Sequence, residues 1–487
     1  MEFGLILVLF VTSITAILAE DVSYGTIVVD GTTSIAKTDD NFICATLDWW
    51  PPDKCDYDQC PWHYASVINL NLSHPLLSKA VQAFDRLRIR IGGSLQDQMK
   101  RWDELNHFFN ATSVMLTFGL NALHGRHKIK RTLWGGDWDS GNAQDFIKYS
   151  ISKGYQIDSW EFGNELSGTG VGAHVYADQY GKDLIRLKKM IKELYKDSQF
   201  EPSLIAPGGF FNQQWFTKLL QVSGSTVLNA MSHHIYNLGA GVDPKLKHGP
   251  WASAWVGESG GAYNSGGPHV SDTFVNSFWY LDQLGMASKY HTKVYCRQTL
   301  IGGNYGLLNA TTYVPNPDYY SALLWQRLMG KVVLAVDSDA SPFLRSYAHC
   351  SKGRAGVTLL MINLSDKTKL VTDVQSSINN IKLATEQQNI SRKSFSCSLK
   401  KAVSGSGVGT EASSDQDLYR EEYHLTPENG YLQSRTMLLN GNPIQLTDTG
   451  NIPRLDPVLI NSKSPISITP LSIAFVVFPD FVAPACG

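Results

Sequence analysis

Between residues 42 and 330 the chain alternates short runs of strand-forming residues with stretches of amphipathic-helix pattern. The strand-like runs are 42–48 (FICATLD), 86–93 (RLRIRIGG), 113–123 (SVMLTFGLNAL), 157–165 (IDSWEFGNE), 204–209 (LIAPGG), 228–237 (LNAMSHHIYN), 254–258 (AWVGE) and 293–303 (KVYCRQTLIGG). Helical pattern follows most of them, at 74–84, 101–109, 143–153, 174–195, 214–221, 271–287 and 318–330. Strands separated by helices pair in parallel, because each return of the chain crosses over the sheet. Eight such strands are what a closed (β/α)8 barrel requires, so an α/β TIM barrel is expected over 37–332.

After residue 331 the texture changes. Runs such as 356–363 (GVTLLMIN), 435–439 (RTMLL) and 471–478 (LSIAFVVF) are separated by Gly, Ser, Asn and Pro. This predicts a C-terminal antiparallel β-sandwich over 333–487, with 404–417 as a solvated loop. The β-like segment at 20–36 is expected to lend a strand to that sandwich. With 43% hydrophobic and 18% charged residues the chain is not generally disordered. A formal net charge of −2 argues against nucleic acid as a partner, since binding it requires a cationic surplus.

The apolar run 5–18, followed by Ala19, is too short to span a bilayer and reads as a signal peptide over 1–19, although its start carries Glu2 and no basic residue. Five N-x-S/T sequons, at Asn71, Asn110, Asn309, Asn363 and Asn389, agree with secretion. Seven cysteines leave one unpaired in an oxidising compartment. Cys55 and Cys60 flank a short polar loop that can close locally. Cys350 and Cys486 bracket the C-terminal region, and a bridge between them would staple its last segment to its beginning. Cys44 and Cys296 sit in apolar strand-like runs and are expected to be buried thiols. No cysteine or histidine cluster has metal-ligand spacing, so neither metal nor cofactor is expected.

Two glutamates end candidate strands, Glu165 on the fourth and Glu258 on the seventh. In a parallel barrel the C-terminal strand ends share one face, so two distant carboxyls can meet there. At ~5–5.5 Å such a pair suits a retaining glycosidase, one acting as acid and base and the other as nucleophile, whereas a wider gap suits inversion. Asn164, immediately before Glu165, is placed to hold a sugar 2-hydroxyl. The basic run 126–131 (RHKIKR) follows strand three and is expected on the same face, where it would attract anionic chains. The run 186–196 (RLKKMIKELYK) reads instead as an exposed helix face.

The segments IRIGGS (89–94), TFGLNAL (117–123), DSWEFGNELSG (158–168), HHIYNLG (233–239), AWVGESGGAYNSG (254–266), SDTFVNSFWYLDQLGMAS (271–288) and YCRQTLIGGNYGLLN (295–309) closely resemble plant heparanase-like proteins of glycoside hydrolase family 79, in clan A. The resemblance implies a retaining β-glucuronidase with Glu165 as acid/base and Glu258 as nucleophile. It implies that Asp48 and Asn164 bind the sugar at the cleavage point, and that Gly260, Gly261, Tyr263 and Tyr305 receive the uronate carboxylate. Gln298 would line the same pocket and His233 would support the nucleophile. The implied partners are uronic-acid polysaccharides, proteoglycans or small glucuronides. The implied protein is a monomer in the cell wall, vacuole or lysosome, with peripheral membrane association as a variant.

The chain departs from that family pattern twice. Gln98 joins Met99 directly, where relatives carry a longer loop and a cysteine. Between strands six and seven only 16 residues remain (LGAGVDPKLKHGPWAS), broken by Gly239, Gly241, Pro244, Gly249 and Pro250. These residues forbid a full helix, so a gap in the outer helical ring is expected. The alternative function that follows is a catalytically impaired, carbohydrate-binding isoform.

Overall fold

The computed structural model describes residues 21–56, 58–92, 101–240, 255–377 and 418–487. Eight parallel strands close into a barrel in chain order: Ile43–Asp48, Arg88–Gly92, Met115–Leu120, Ser159–Phe162, Ser203–Phe210, Ala230–Ile235, Trp255–Ser259 and Val294–Arg297. We refer to them as the first to the eighth strand. Each matches an expected run, though several runs overshoot at one or both ends, where the flanking residues belong to the loops at the barrel's two mouths.

Seven helices are described around the barrel: Pro75–Gln82, Trp102–Ala111, Gly141–Ser152, Ala177–Leu194, Gln213–Ser223, Phe274–Lys289 and Pro317–Leu328. Proline at the first position of two of them needs no backbone donor there. Asn212 caps another by accepting the Trp215 N–H at 2.9 Å. In Ala177–Leu194 the buried Tyr180, Leu184, Leu187 and Ile191 recur at helical spacing, while Lys182, Lys189 and Lys192 stay in water. The run 186–196 is therefore exposed on one face only. Lys188 is buried and pairs with Glu201 at 2.7 Å. Of the shortened connection from the sixth to the seventh strand only its start is described, Gly239–Ala240 pairing with Ala262–Tyr263, while 241–254 and the junction of Gln98 with Met99 in 93–100 lie outside the described residues. So do the leader, Asn389 and Cys397.

Apart from two short two-stranded pairs, the remaining described strands form one eleven-stranded sheet. Asp21–Lys37 enters it between Met329–Ser338, paired antiparallel, and Thr368–Ser376, paired parallel. Its central strand Val357–Asn363 is buried along its whole length. Leu360 and Ile362 join the core shared with the barrel, whereas Leu359 and Met361 face a second core with Ile27, Val29 and Leu334. Alternate side chains thus serve two layers, as the period of a strand requires.

Three disulfides are present among the described residues: Cys55–Cys60, Cys350–Cys486 and Cys44–Cys296. The last corrects the expectation of two free thiols. The first and eighth strands become neighbours only when the barrel closes, and their register sets Cys44 directly opposite Cys296. Asn363 corrects a second expectation. It is fully buried and its Nδ2 donates to the carbonyls of Thr368 (2.8 Å) and Thr469 (3.0 Å), so the folded chain has no free amide there for a glycan. Asn71 and Asn110 are exposed and Asn309 is half-buried. No helix among the described residues is long and apolar enough to cross a membrane.

Candidate active site

Glu165 stands three residues past the fourth strand, in the left-handed region at φ 54°. That conformation is costly for a residue with a Cβ, and here its N–H is tied to the Gly208 carbonyl at 2.6 Å. The turn aims the side chain across the barrel mouth. Glu258 comes from within the seventh strand and is buried. One oxygen of each carboxylate and Nδ1 of His234 all lie within 4.8 Å of one another.

Arg90, on the second strand and fully buried, organises the floor beneath them. Its Nε donates to Glu161 (2.5 Å), Nη1 to Glu258 (2.9 Å) and Nη2 to Asn164 (2.8 Å). Glu161, buried on the fourth strand, also accepts from Ser232 Oγ at 2.7 Å. Gly208 leaves room for this carboxylate: a Cβ there would lie 2.8 Å from Glu161 Oε1.

The sixth strand and the residue that follows it supply three side chains of one parity. Ser232 meets Glu161, His234 Nδ1 lies 3.0 Å from Glu165 Oε1 and 3.7 Å from Glu258 Oε2, and Tyr236 donates to Glu258 Oε1. His233 has the other parity. Its Nδ1 faces the Trp255 carbonyl at 3.0 Å, outside the group around Glu258, and burial holds its pKa down at about 4. The supporting histidine is therefore His234 and not His233, since successive strand residues point to opposite faces.

Burial pushes the Glu258 carboxyl up, but His234, Arg90 and the hydrogen bonds from Tyr236 and Arg90 outweigh it and hold the group below the usual range. Asp48, at the end of the first strand, goes the other way. Burial and the charge of Glu258 raise it, against the pull of Gln298, Arg90 and Trp50. Its Oδ2 accepts from Gln298 and from Trp50 Nε1 (3.1 Å), while Oδ1 is buried without a protein partner. Gln298 in turn meets Thr46 and lies 3.5 Å from the Tyr305 hydroxyl. Gly260 lets two rings close in: a Cβ would sit 2.9 Å from both Tyr236 and Tyr305. Gly261 is buried next to it and Tyr263 is exposed.

A further wall comes from the loop after the first strand. Lys54 Nζ lies 3.1 Å over the Trp50 ring and Trp62 donates to Ser265 (2.8 Å). Arg90, Glu161, Ser232, Tyr236, Lys54 and Trp62 went unread in the sequence. Glu165, His234 and Glu258 have the spacing to embrace a cation, yet Arg90 already supplies positive charge to Glu258. The predicted Asp48, Asn164, Glu165, Glu258 and Gln298 do converge, with Tyr305 and Gly260 beside them.

Paired carboxylates at the C-terminal mouth of a closed (β/α)8 barrel, set among buried polar partners from several strands, define a glycoside hydrolase. The chain matches the model of "Glycosyl hydrolase family 79, N-terminal domain" over 24–100, 97–248 and 246–285. It is 57% identical to Heparanase-like protein 2 of Arabidopsis thaliana, over 95% of both chains. It is 37% identical to Baicalin-beta-D-glucuronidase of Scutellaria baicalensis, over 91% of this chain and 90% of the relative. Among solved structures, a family 51 arabinofuranosidase from Xanthomonas axonopodis pv. citri superposes with a TM-score of 0.59 at 12% identity, over 94% of this chain and all of that one, a likeness of fold. The chain belongs to glycoside hydrolase family 79. Its alignment with the Arabidopsis relative spans 518 positions, more than the 487 residues it possesses, so it carries gaps there.

Proposed function

We propose that this chain is a secreted, retaining β-glucuronidase that cleaves glucuronic acid from glycans or small glucuronides by double displacement. The observation that carries the reading is that one oxygen of Glu165 and one of Glu258 come within 4.8 Å of each other against the same His234 ring, the close facing of carboxylates that a retaining mechanism uses. Roles follow from surroundings. Glu258, gripped by Arg90 and Tyr236, is kept anionic and attacks the anomeric carbon. Glu165, held among the described side chains by His234 and more open to solvent, protonates the leaving oxygen and then activates the hydrolytic water. Asn164, oriented by Arg90, is positioned for the sugar 2-hydroxyl. The unpartnered Asp48 Oδ1 accepts a sugar hydroxyl, and the Gly260–Gly261 turn with Tyr263 and Tyr305 takes the uronate carboxylate.

The names of the relatives support a glucuronide substrate, and the sequons at exposed Asn71 and Asn110 support secretion, to the cell wall or vacuole. The decisive test is a panel of aryl β-glycosides on the purified full chain. Glucuronide turnover with retention, abolished in Glu165→Gln and Glu258→Gln, is expected. Turnover of neutral glycosides alone, or an inverted product, would refute it. The alignment gaps favour one second reading, a silent carbohydrate-binding isoform. It would bind glucuronides and hydrolyse none.

A further inference from the structure

The basic run 126–131 is the one motif of the sequence that the site has not absorbed. It divides in two. Arg126 is buried and acts as an anchor: its Nε donates to the Ala122 carbonyl (2.8 Å), Nη1 to the Gly136 carbonyl (2.5 Å), and Nη2 pairs with buried Asp183 on helix Ala177–Leu194. It is therefore no part of the expected surface patch. What it anchors is a hairpin, His127–Lys130 paired with Leu133–Gly135, on which His127, Lys128, Lys130 and Arg131 are all exposed. None of the described acidic side chains forms an ion pair with Lys128, Lys130 or Arg131. The nearest along the chain are engaged elsewhere, Asp137 with Gln179 (3.1 Å) and Asp139 with the Gly141 N–H (2.9 Å).

The hairpin is tied to one particular wall of the cleft. His174 N–H donates to the Thr132 carbonyl (2.7 Å), the Trp134 N–H to the His174 carbonyl (2.9 Å), and Thr132 Oγ1 lies 3.0 Å from His174 Nδ1. The segment just before His174, with Val171 and Gly172, lines a cleft together with Asn121, Leu123, Asn164 and Glu165. That cleft opens on Glu165 and not on Glu258. In the reaction proposed above, on which this inference rests, Glu165 protonates the departing oxygen, so the leaving group lies on its side.

We propose that the hairpin Lys128, Lys130 and Arg131 is a binding site for a uronate-bearing glycan chain on the leaving-group side of the cleavage point. Such a site would make an anionic oligosaccharide a better substrate than a simple glucuronide. Rigid attachment at both ends of the hairpin fixes the three cations on one rim, where carboxylates spaced along a chain can meet more than one of them. Each exposed contact is worth about 1.5- to fivefold in affinity and weakens with salt, so the three together give roughly tenfold at low ionic strength.

The test compares the full chain with the Lys128→Gln/Lys130→Gln/Arg131→Gln variant in two assays. The first is turnover of an aryl β-glucuronide, whose leaving group carries no charge. The second is binding of a hyaluronan decasaccharide, glucuronate-bearing and unsulfated, in a Glu165→Gln background. The variant is expected to turn over the aryl substrate within twofold of the parent, and to bind the decasaccharide about tenfold more weakly at low salt. That difference should shrink towards nothing at about 0.5 M salt, where the Debye length is only a few Å. Equal binding by both proteins, a difference independent of salt, or a parallel loss of aryl turnover would each overturn the proposal. A parent that hydrolyses no aryl glucuronide would refute the proposed activity instead, and the binding comparison would still decide the hairpin's role.

Discussion

Replacing Tyr236 by Phe probes the electrostatics of the site most directly. The hydroxyl donates to Glu258 Oε1, and the carboxylate is buried. A hydrogen bond to a charged group in such a setting contributes about 1.5–3 kcal/mol. Because the bond favours the anionic form, losing it raises the Glu258 pKa. At 1.36 kcal/mol per unit, the acid limb of the kcat/KM profile should move up by about one to two pH units. At a pH below the new limb, activity on an aryl β-glucuronide should fall about 10- to 100-fold, recovering partly as pH rises. Phe keeps the ring that packs against Gly260, so thermal unfolding should change little. The assay is a pH–rate profile of variant and parent with the same substrate. An unmoved acid limb together with less than a threefold loss at every pH would refute the assignment of Glu258 as the carboxylate held anionic for attack.

Three other outcomes are expected. Breaking the Cys44–Cys296 bridge with Cys296→Ser releases a 252-residue loop and should lower stability by about 2–5 kcal/mol, read from denaturant unfolding under non-reducing conditions. His233 and His349 are both buried, with pKa values lowered to about 4 from 6.5, so the unfolded chain takes up protons before the folded one. Stability should thus be fully present above pH 6.5 and fall as pH drops towards 4, by about 3 kcal/mol for each, with His349→Gln flattening the slope in urea titrations. Asn363→Gln should leave the glycan mass of protein expressed through a secretory host unchanged while Asn71→Gln reduces it. A mass loss from Asn363→Gln would show that the site is glycosylated before it is buried.

Much of this protein is determined by local pattern. The alternation of strand and helix periods specifies eight barrel strands, because each element is recognised from its own residues. Placing Glu165 and Glu258 on one face needed only their position at strand ends, as all parallel strands finish on the same side. Side-chain parity was also legible: Ser232, His234 and Tyr236 alternate with Met231, His233 and Ile235, yet a histidine pair gives no local sign of which member faces inward. Arg90 went unread for a related reason. In RLRIRIGG the charged positions alternate with Leu and Ile and look solvent-facing, but a barrel covers its outer surface with helices and turns the polar parity into the lumen.

Tertiary structure alone decided the rest. The bridge between Cys44 and Cys296 exists because closure makes the first and last strands neighbours, an event with no local signature. The buried Asn363 amide is satisfied by the carbonyls of Thr368, Ile468 and Thr469, at the ends of two neighbouring strands that are remote in the chain from each other. The fork of Arg90 joins the second, fourth and seventh strands through a register that no single segment encodes. Residues far apart in the chain acquire their chemistry there from neighbours in space, because burial and charge act over a few ångströms.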